Sequence, residues 1–459
     1  MDFKQLFQGY DVRGIYGRDL DEQAAAAIGR GYAEFLQQKG LAEKVLAARD
    51  NRSSSPALQK RFVDGLLKGG CTVIDLGEAT TGIVHWALKK LGAGGGAMVT
   101  ASHNPPEYNG MKMYNRGFPL SKEEMAEVRL FAEKSDELKD RHGGSLEQKS
   151  VAREYLEENA AKNRLEKKIK VVLDCANGVS GLFAPELFRK MGCEVAELYC
   201  IPDSSFPNHE PNPTNEETLA ALKRKVVDEK ADLGIAFDGD ADRVVFVDEN
   251  GETVKGDFAF MLFAENALEE NPRGLVAYDL RLSLAVREEI ERLGGKAVMT
   301  KSGRIAVREE MRKNGGCFGG ETSGHFFFGE IGGYDDALYA GAKMARILAE
   351  SGKKMSQLAA ALPHYFATPE YRPHCDDSKK RIVVEELAKE LAAEGIATSL
   401  LDGVRAEWKD GWGLVRVSNT EPALSMRMEA RSEKKLEEIY ELFGSKLAKR
   451  GVELPPLKH

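Results

Sequence analysis

No apolar run in this chain approaches the length that crosses a bilayer, and the opening MDFKQLFQGY lacks the apolar core of a secretory leader. Both absences predict a cytoplasmic chain without a membrane partner. Cysteine is sparse: Cys71, Cys175, Cys193, Cys200, Cys317 and Cys375 are scattered, with no CxxC spacing. That argues against a disulfide framework and predicts reduced, core-packed thiols. Positive charge is in deficit, with 65 Lys and Arg against 73 Asp and Glu, a net charge of −8. Nothing here draws the chain toward nucleic acid or an anionic surface. An anionic ligand would have to be gripped by local basic groups. What is present is ordinary for a globular enzyme, 42% hydrophobic and 30% charged residues. A chain of 459 residues is too long for one core and predicts three or four domains.

The most informative stretch is DGDADR at 238–243. It sets Asp238, Asp240 and Asp242 at alternate positions, separated only by Gly239 and Ala241. ADLGIAF before it and VVFVD after it read as short strands. Three carboxylates so close repel unless a cation sits among them. Oxygen-only ligands select a hard ion, Mg²⁺ before Ca²⁺ or Mn²⁺, and suit phosphoryl chemistry. An EF-hand loop would need Gly at its sixth position, where this chain has Arg243. A solvated acidic turn is the remaining bland reading.

A rhythm recurs three times. A strand ends in Asp (VLAARD at 45–50, VVLD at 171–174, LVAYD at 275–279), a helical stretch follows, and a later strand runs into a polar loop. Those loops are TASHNPPEYNG from 100, DGDADR from 238 and GETSGH from 320. The alternation predicts three related α/β units, each with its loop at a strand's C-terminal end. The last hundred residues differ. GLVRVS and ALSMRMEA read as strands, and SEKKLEEIYELFGSKLAKR as a helix capped by Ser432. A smaller α+β domain is expected there. The predicted boundaries are 1–148, 149–252, 253–364 and 365–459, with linkers near 141–150, 248–252 and 362–373.

Three further loops carry chemistry or ordinary turns. In TASHNPPEYNGMK, Ser102 precedes a proline-stiffened turn that presents its hydroxyl, with Lys112 downstream. In RVSNTEP, Arg416 with Ser418, Asn419 and Thr420 has the make-up of a phosphate cradle. In GGETSGH, Glu321 and Ser323 flank Thr322 on an extended loop, as pairs that grip vicinal sugar hydroxyls do. His325 can transfer a proton near neutral pH, or can be a structural histidine.

Together, and in order, YDVRG at 10–14, TASHNPPEYNGMK, DGDADR, GETSGH and RVSNTEP resemble the α-D-phosphohexomutase family, over the whole chain. Phosphoglucomutases, phosphomannomutases and phosphoglucosamine mutases belong to it. The resemblance implies three related α/β domains with mixed sheets plus a smaller C-terminal α+β domain around a central cleft. It implies that Ser102 carries a phosphoryl group, and that Asp238, Asp240 and Asp242 hold Mg²⁺ with an oxygen of phospho-Ser102. Arg243 would face the transferring phosphate. Glu321, Thr322 and Ser323 would read sugar hydroxyls, and Arg416, Ser418, Asn419 and Thr420 would hold the non-reacting phosphate. Lys112 and His325 are candidates for proton transfer, and Tyr10 and Arg13 for lining the cleft. Arg281 and Arg304 stand where related sequences carry Lys and His. Both keep positive charge, but Arg cannot act as a base.

The implied reaction interconverts hexose 1- and 6-phosphates of mannose and glucose through a hexose 1,6-bisphosphate, with glucose 1,6-bisphosphate as activator. A monomer or weak homodimer is expected. Glucosamine phosphate is the alternative substrate. A metal-dependent phosphatase or a sugar-phosphate sensor is the alternative class. A sensor would be expected to lack Ser102 or an aspartate, and a phosphatase has no need of RVSNTEP.

Overall fold

The computed structural model describes residues 3–418 and 421–457. It forms two compact units. The first comprises the described residues up to Lys255 together with Ser323–Leu358, and the second comprises Gly256–Thr322 with the described residues from Ala359 onward. No helix among the described residues is long and apolar enough to cross a membrane.

The first unit contains two mixed sheets. The larger has eight strands. Its centre is parallel: Gly95–Val99, Val45–Arg49, Thr72–Glu78 and Ser145–Gln148 lie side by side. Tyr108–Asn115 runs antiparallel to Gly95–Val99 and to Asp11–Ile15. Strands Val45–Arg49 and Gly95–Val99 are almost wholly buried, which explains why they read as unbroken apolar runs. Helices Glu22–Gln38 and Ser55–Lys68 cover one face and bury Ile28, Tyr32, Phe35, Phe62 and Leu66. Tyr32 keeps its hydroxyl satisfied inside this core. It donates to the carbonyl of Tyr114 at 2.5 Å and accepts from the amide of Gly96 at 2.9 Å.

The smaller sheet runs Glu194–Leu198, Lys170–Asp174, Leu233–Phe237, Val244–Val247 and Thr253–Val254. The first three strands are parallel and the rest antiparallel. Helix Ala337–Ser351 packs on Leu233–Phe237. Two expected linkers are elements of these sheets. Residues 248–252 form the turn of the antiparallel pair 244–247 and 253–254, with Asp248 Oδ1 accepting from the amides of Asn250 and Glu252. Residues 145–148 form a parallel edge strand on Thr72–Asp75.

In the second unit, Lys296–Thr300, Leu275–Asp279 and Phe318–Gly320 pair in parallel. Helices Gly256–Glu270, Leu284–Arg292 and Arg304–Asn314 accompany them. The C-terminal part is an antiparallel sheet ordered Phe366–Ala367, Leu424–Ala430, Gly411–Val417, Val404–Trp408 and Ala397–Ser399. Leu424, Met426 and Met428 face Leu436, Ile439 and Phe443 of helix Glu433–Ala448 in one core. Each such side chain contributes about 1.5–3 kcal/mol by burial. Ser432 caps that helix through the amide of Lys435. The expected linker 362–373 supplies the short strand Phe366–Ala367.

The threefold rhythm has a structural signature. Asp50, Asp174 and Asp279 each close the first parallel strand, and each carboxylate accepts the amide two residues on, from Arg52, Ala176 and Arg281. Arg52 and Arg281 also bring their guanidinium groups back onto that carboxylate. In the middle repeat, where the residue is Ala, His209 Nε2 takes this place, 3.1 Å from Asp174.

Candidate active site

Strand Gly95–Val99 delivers Thr100 and then Ser102 at its C-terminal end. Thr100 Oγ1 accepts the Ser102 amide at 2.9 Å, and Ala101 accepts the Asn104 amide at 3.0 Å. Ser102 is almost fully buried, and its backbone is left-handed, φ +50°. For a residue with a Cβ this costs on the order of 1–2 kcal/mol and persists only where the surroundings impose it. Ser102 Oγ donates to Asp238 Oδ2 at 2.8 Å and lies 3.3 Å from His103 Nδ1. Burial, then the nearby Arg243 and Arg13, push the His103 pKa down to about 2, so its ring is neutral.

The acidic loop is held by its backbone. Gly239, Asp240 and Ala241 offer their carbonyls to the amides of Val179, Thr81 and Ala337, each of which opens a helical segment. Three helical starts therefore converge on the loop. Helix N-termini carry unpaired N–H groups and partial positive charge, which suits a segment bearing three carboxylates. Gly239 is required by contact, since a Cβ there would lie 2.4 Å from the Ser102 carbonyl oxygen. The carboxylates of Asp238, Asp240 and Asp242 are buried, with ligand atoms within 4.8 Å of one another. Lys112 reaches in from strand Tyr108–Asn115 and places Nζ 2.6 Å from Asp240 and 2.5 Å from Asp242. Thr81 Oγ1 donates to Asp240 at 2.8 Å. Burial, then the charges of Asp242 and Asp240, raise the Asp238 pKa well above the usual carboxylate range. Asp240 Oδ1 is buried with no hydrogen-bond partner among the described residues. A buried, oxygen-only set with an unspent lone pair fits a hard divalent cation.

Arg243 Nε donates to His325 Nε2 at 3.1 Å. An arginine cannot accept, so Nε2 is the lone-pair nitrogen, and the neutral ring carries its proton on Nδ1. That nitrogen lies 3.5 Å from Asp335 Oδ2 and 3.9 Å from Asp242 Oδ1. Arg13 donates to the Thr100 carbonyl at 3.4 Å, just before Ser102. Tyr10 is half-buried, with Lys122 Nζ 5.4 Å from its ring centre. The first unit thus assembles Ser102, Lys112, the three aspartates, Arg243 and His325, with Arg13 adjoining. Ser323 is half-buried and belongs to this unit.

The second unit carries the other expected residues. Glu321 is buried and Thr322 half-buried. Arg281 is locked on Asp279 through Nε at 3.1 Å and Nη2 at 2.5 Å. Its carbonyl accepts from Arg427, which also pairs with Asp257 at 3.0 Å. Arg304 is the first residue of its helix and half-buried. Arg416 bonds Asp402 at 3.1 Å and Ser425 at 3.3 Å. Asn419 and Thr420 lie outside the described residues. The Ser418 and Glu421 carbonyls on either side of them both accept from Lys380. Sequence reasoning missed Arg52, Thr81, His103, Asp335, Lys380 and Arg427. Two of them carried a signal: Arg52, two residues beyond a strand-ending Asp as Arg281 is, and His103, inside the serine motif TASHNPPEYNGMK.

The repeated α/β units with a buried serine beside a carboxylate triad, joined to a C-terminal α+β part, define the class of protein. Family models for phosphoglucomutase/phosphomannomutase α/β/α domains I, II and III match residues 4–139, 153–251 and 255–366. The model for the C-terminal domain matches 377–443. A Pseudomonas aeruginosa phosphomannomutase/phosphoglucomutase is 38% identical over 452 residues, covering 98% of this chain and 97% of that one. A Thermococcus kodakarensis phosphoglucomutase/phosphomannomutase is 38% identical over 450 residues, 95% and 97% of the two chains. The crystal structure of a phosphoglucomutase/phosphomannomutase family protein from Burkholderia thailandensis superposes with a TM-score of 0.93 at 35% identity, covering 99% of this chain and 100% of that one. The chain belongs to the phosphoglucomutase/phosphomannomutase family.

Proposed function

We propose that the protein interconverts hexose 1-phosphates and hexose 6-phosphates, of mannose and glucose, through phospho-Ser102 and a hexose 1,6-bisphosphate. The observation that carries this is the Ser102 hydroxyl, buried on a left-handed backbone and 2.8 Å from Asp238 of the triad. In the first transfer the phosphorus–Oγ bond of phospho-Ser102 breaks, and a bond to the free sugar hydroxyl forms. The bisphosphate turns, the bond between its other phosphorus and the sugar oxygen breaks, a bond to Ser102 Oγ forms, and the sugar oxygen takes back the proton given up in the first transfer. Asp238, Asp240 and Asp242 would hold Mg²⁺ with a phosphoryl oxygen on Ser102. When bound, Mg²⁺ supplies charge neutralisation at the transferring group.

Lys112, between two carboxylates, acts as an ammonium rather than a base. His325 Nε2 is taken up by Arg243. A phosphoryl group that draws Arg243 onto itself frees Nε2 to receive the sugar hydroxyl's proton. Arg416 and Ser418, with Asn419 and Thr420, hold the non-reacting phosphate, and Glu321, Thr322 and Ser323 read sugar hydroxyls. Tyr10 and Arg13 of the first unit and Arg281 and Arg304 of the second are the remaining candidates for substrate contact. Glucose 1,6-bisphosphate serves as activator by phosphorylating Ser102. The six free thiols accord with a cytoplasmic protein, working as a monomer or weak homodimer.

The test is Ser102→Ala with mass spectrometry of the peptide spanning 100–112. After incubation with glucose 1,6-bisphosphate, the wild-type peptide should gain one phosphoryl group at Ser102, and the variant should neither gain it nor turn over. Turnover by the variant at the wild-type rate would end the covalent reading.

A further inference from the structure

We propose that Arg52 is the positioning residue that fixes how Ser102 is presented for phosphoryl transfer; this rests on the reading of Ser102 as the phosphoryl carrier. A guanidinium has five N–H donors in one rigid plane. In Arg52 all five are engaged. Nε donates to Asp50 Oδ2 at 3.1 Å. Nη1 donates to the carbonyls of Pro105 at 2.6 Å and Tyr108 at 3.0 Å. Nη2 donates to those of Ser102 at 2.9 Å and Asn104 at 2.6 Å. The side chain has no exposed surface, and the Phe206 ring centre lies 5.1 Å from its Cζ. Asp50 is anchored in turn by the Ser55 hydroxyl at 2.5 Å.

The four carbonyls span the serine loop from 102 to 108. One planar group therefore gathers a segment that otherwise has little regular backbone pairing. The Ser102 carbonyl is held twice, by Nη2 and by close backbone packing against Gly239. With that carbonyl fixed on a left-handed backbone, Ser102 sets Oγ 2.8 Å from Asp238 Oδ2. The cycle needs this oxygen in line twice, once to give the phosphoryl group and once to take it back. A lysine at 52 would keep the charge but offer three donors from one point, and could not bridge four separated carbonyls.

Arg52→Lys and Arg52→Gln test this in the full-length protein with two readouts. One is hydrogen exchange over residues 100–110. The other is the single-turnover rate of transfer from phospho-Ser102 to glucose 1-phosphate, normalised to phosphoenzyme counted by intact mass. Exchange should quicken in that loop alone. Transfer should fall on the order of 10²-fold with KM changed less than about threefold, since misplacement of about 1 Å costs rate rather than binding. A purely structural role would reduce the folded fraction and leave the normalised rate at the wild-type value, and that result would overturn the proposal. If neither variant folds, Asp50→Asn leaves the fork in place and loosens its anchor. It should show the same quickened exchange with a smaller loss of rate, and wild-type exchange and rate in Asp50→Asn would overturn the proposal. Should wild-type Ser102 accept no phosphoryl group, the carrier reading fails by itself, and the exchange readout alone decides whether Arg52 holds the loop.

Discussion

Replacing Lys112 with Met removes the ammonium that bridges Asp240 and Asp242 at 2.6 and 2.5 Å, in a site where all three aspartates are buried. At an effective dielectric near 20, each contact is worth about 6 kcal/mol of Coulomb attraction before desolvation is subtracted. The measured cost of stripping one partner from a buried ion pair is about 3–5 kcal/mol, because the remaining charge stays behind. For a unit of this size 1 kcal/mol moves Tm by roughly 2–4 °C, so the metal-free variant should melt ~10 °C below the wild type. A divalent cation among the carboxylates would take over the lost charge. The variant should therefore gain more from Mg²⁺ than the wild type does, and the gap should shrink by half or more at saturation. Scanning calorimetry of both proteins in EDTA and in saturating Mg²⁺ reads this directly. A gap that is the same in both buffers would refute the reasoning, because Lys112 and the cation would then not share the site. Equal melting in EDTA would refute the buried-charge account itself.

Two further outcomes follow from the same geometry. Gly239→Ala puts a methyl 2.4 Å from the Ser102 carbonyl, so the serine loop must shift by about 1 Å. Turnover should drop on the order of 10²-fold while stability falls by only about 1–3 kcal/mol, compared by steady-state kinetics and urea unfolding. His103 has a folded pKa depressed to about 2 against an ordinary value of 6.5. Its contribution to stability is complete above the ordinary value and is lost as pH falls toward the folded one. In the dephosphorylated enzyme, His103→Asn should lessen the loss of stability between about pH 6.5 and 5.5 by ~1 kcal/mol, measured by urea unfolding at each pH. An unchanged pH slope would place His103 in solvent rather than under the loop.

The functional loops were legible because each ends a strand in a short polar run with an identifiable chemistry. The acidic alternation at 238–242 needed nothing but itself, and the Asp that closes each first strand marked the repeat before any pairing was known. The helix at 433–448 was legible from its spacing and its Ser432 cap. The unread parts depend on partners far away in sequence. Lys112 meets its aspartates 128 and 130 positions on. Arg52 grips carbonyls about 50 residues downstream, and carbonyls have no sequence signature. The tautomer of His325 depends on Arg243, 82 positions earlier. Strand Ser145–Gln148 is exposed on both faces, so no hydrophobic alternation betrays it, and backbone pairing at a sheet edge forms it. The 248–252 stretch is the turn that its DENGE composition suggests, and what the composition does not show is that Asp248 tightens it within an antiparallel pair.

The central claim is that Ser102 mediates exchange of one phosphoryl group between the two ends of a hexose. A ³¹P NMR time course with Mg²⁺ and a trace of glucose 1,6-bisphosphate tests it most directly, with mannose, glucose and glucosamine 1-phosphates offered separately. The account predicts conversion of the mannose and glucose compounds to 6-phosphates, with glucosamine 1-phosphate slow and no net release of inorganic phosphate. Release of inorganic phosphate without isomerisation, or no conversion of any of the three by fully phosphorylated enzyme, would contradict it.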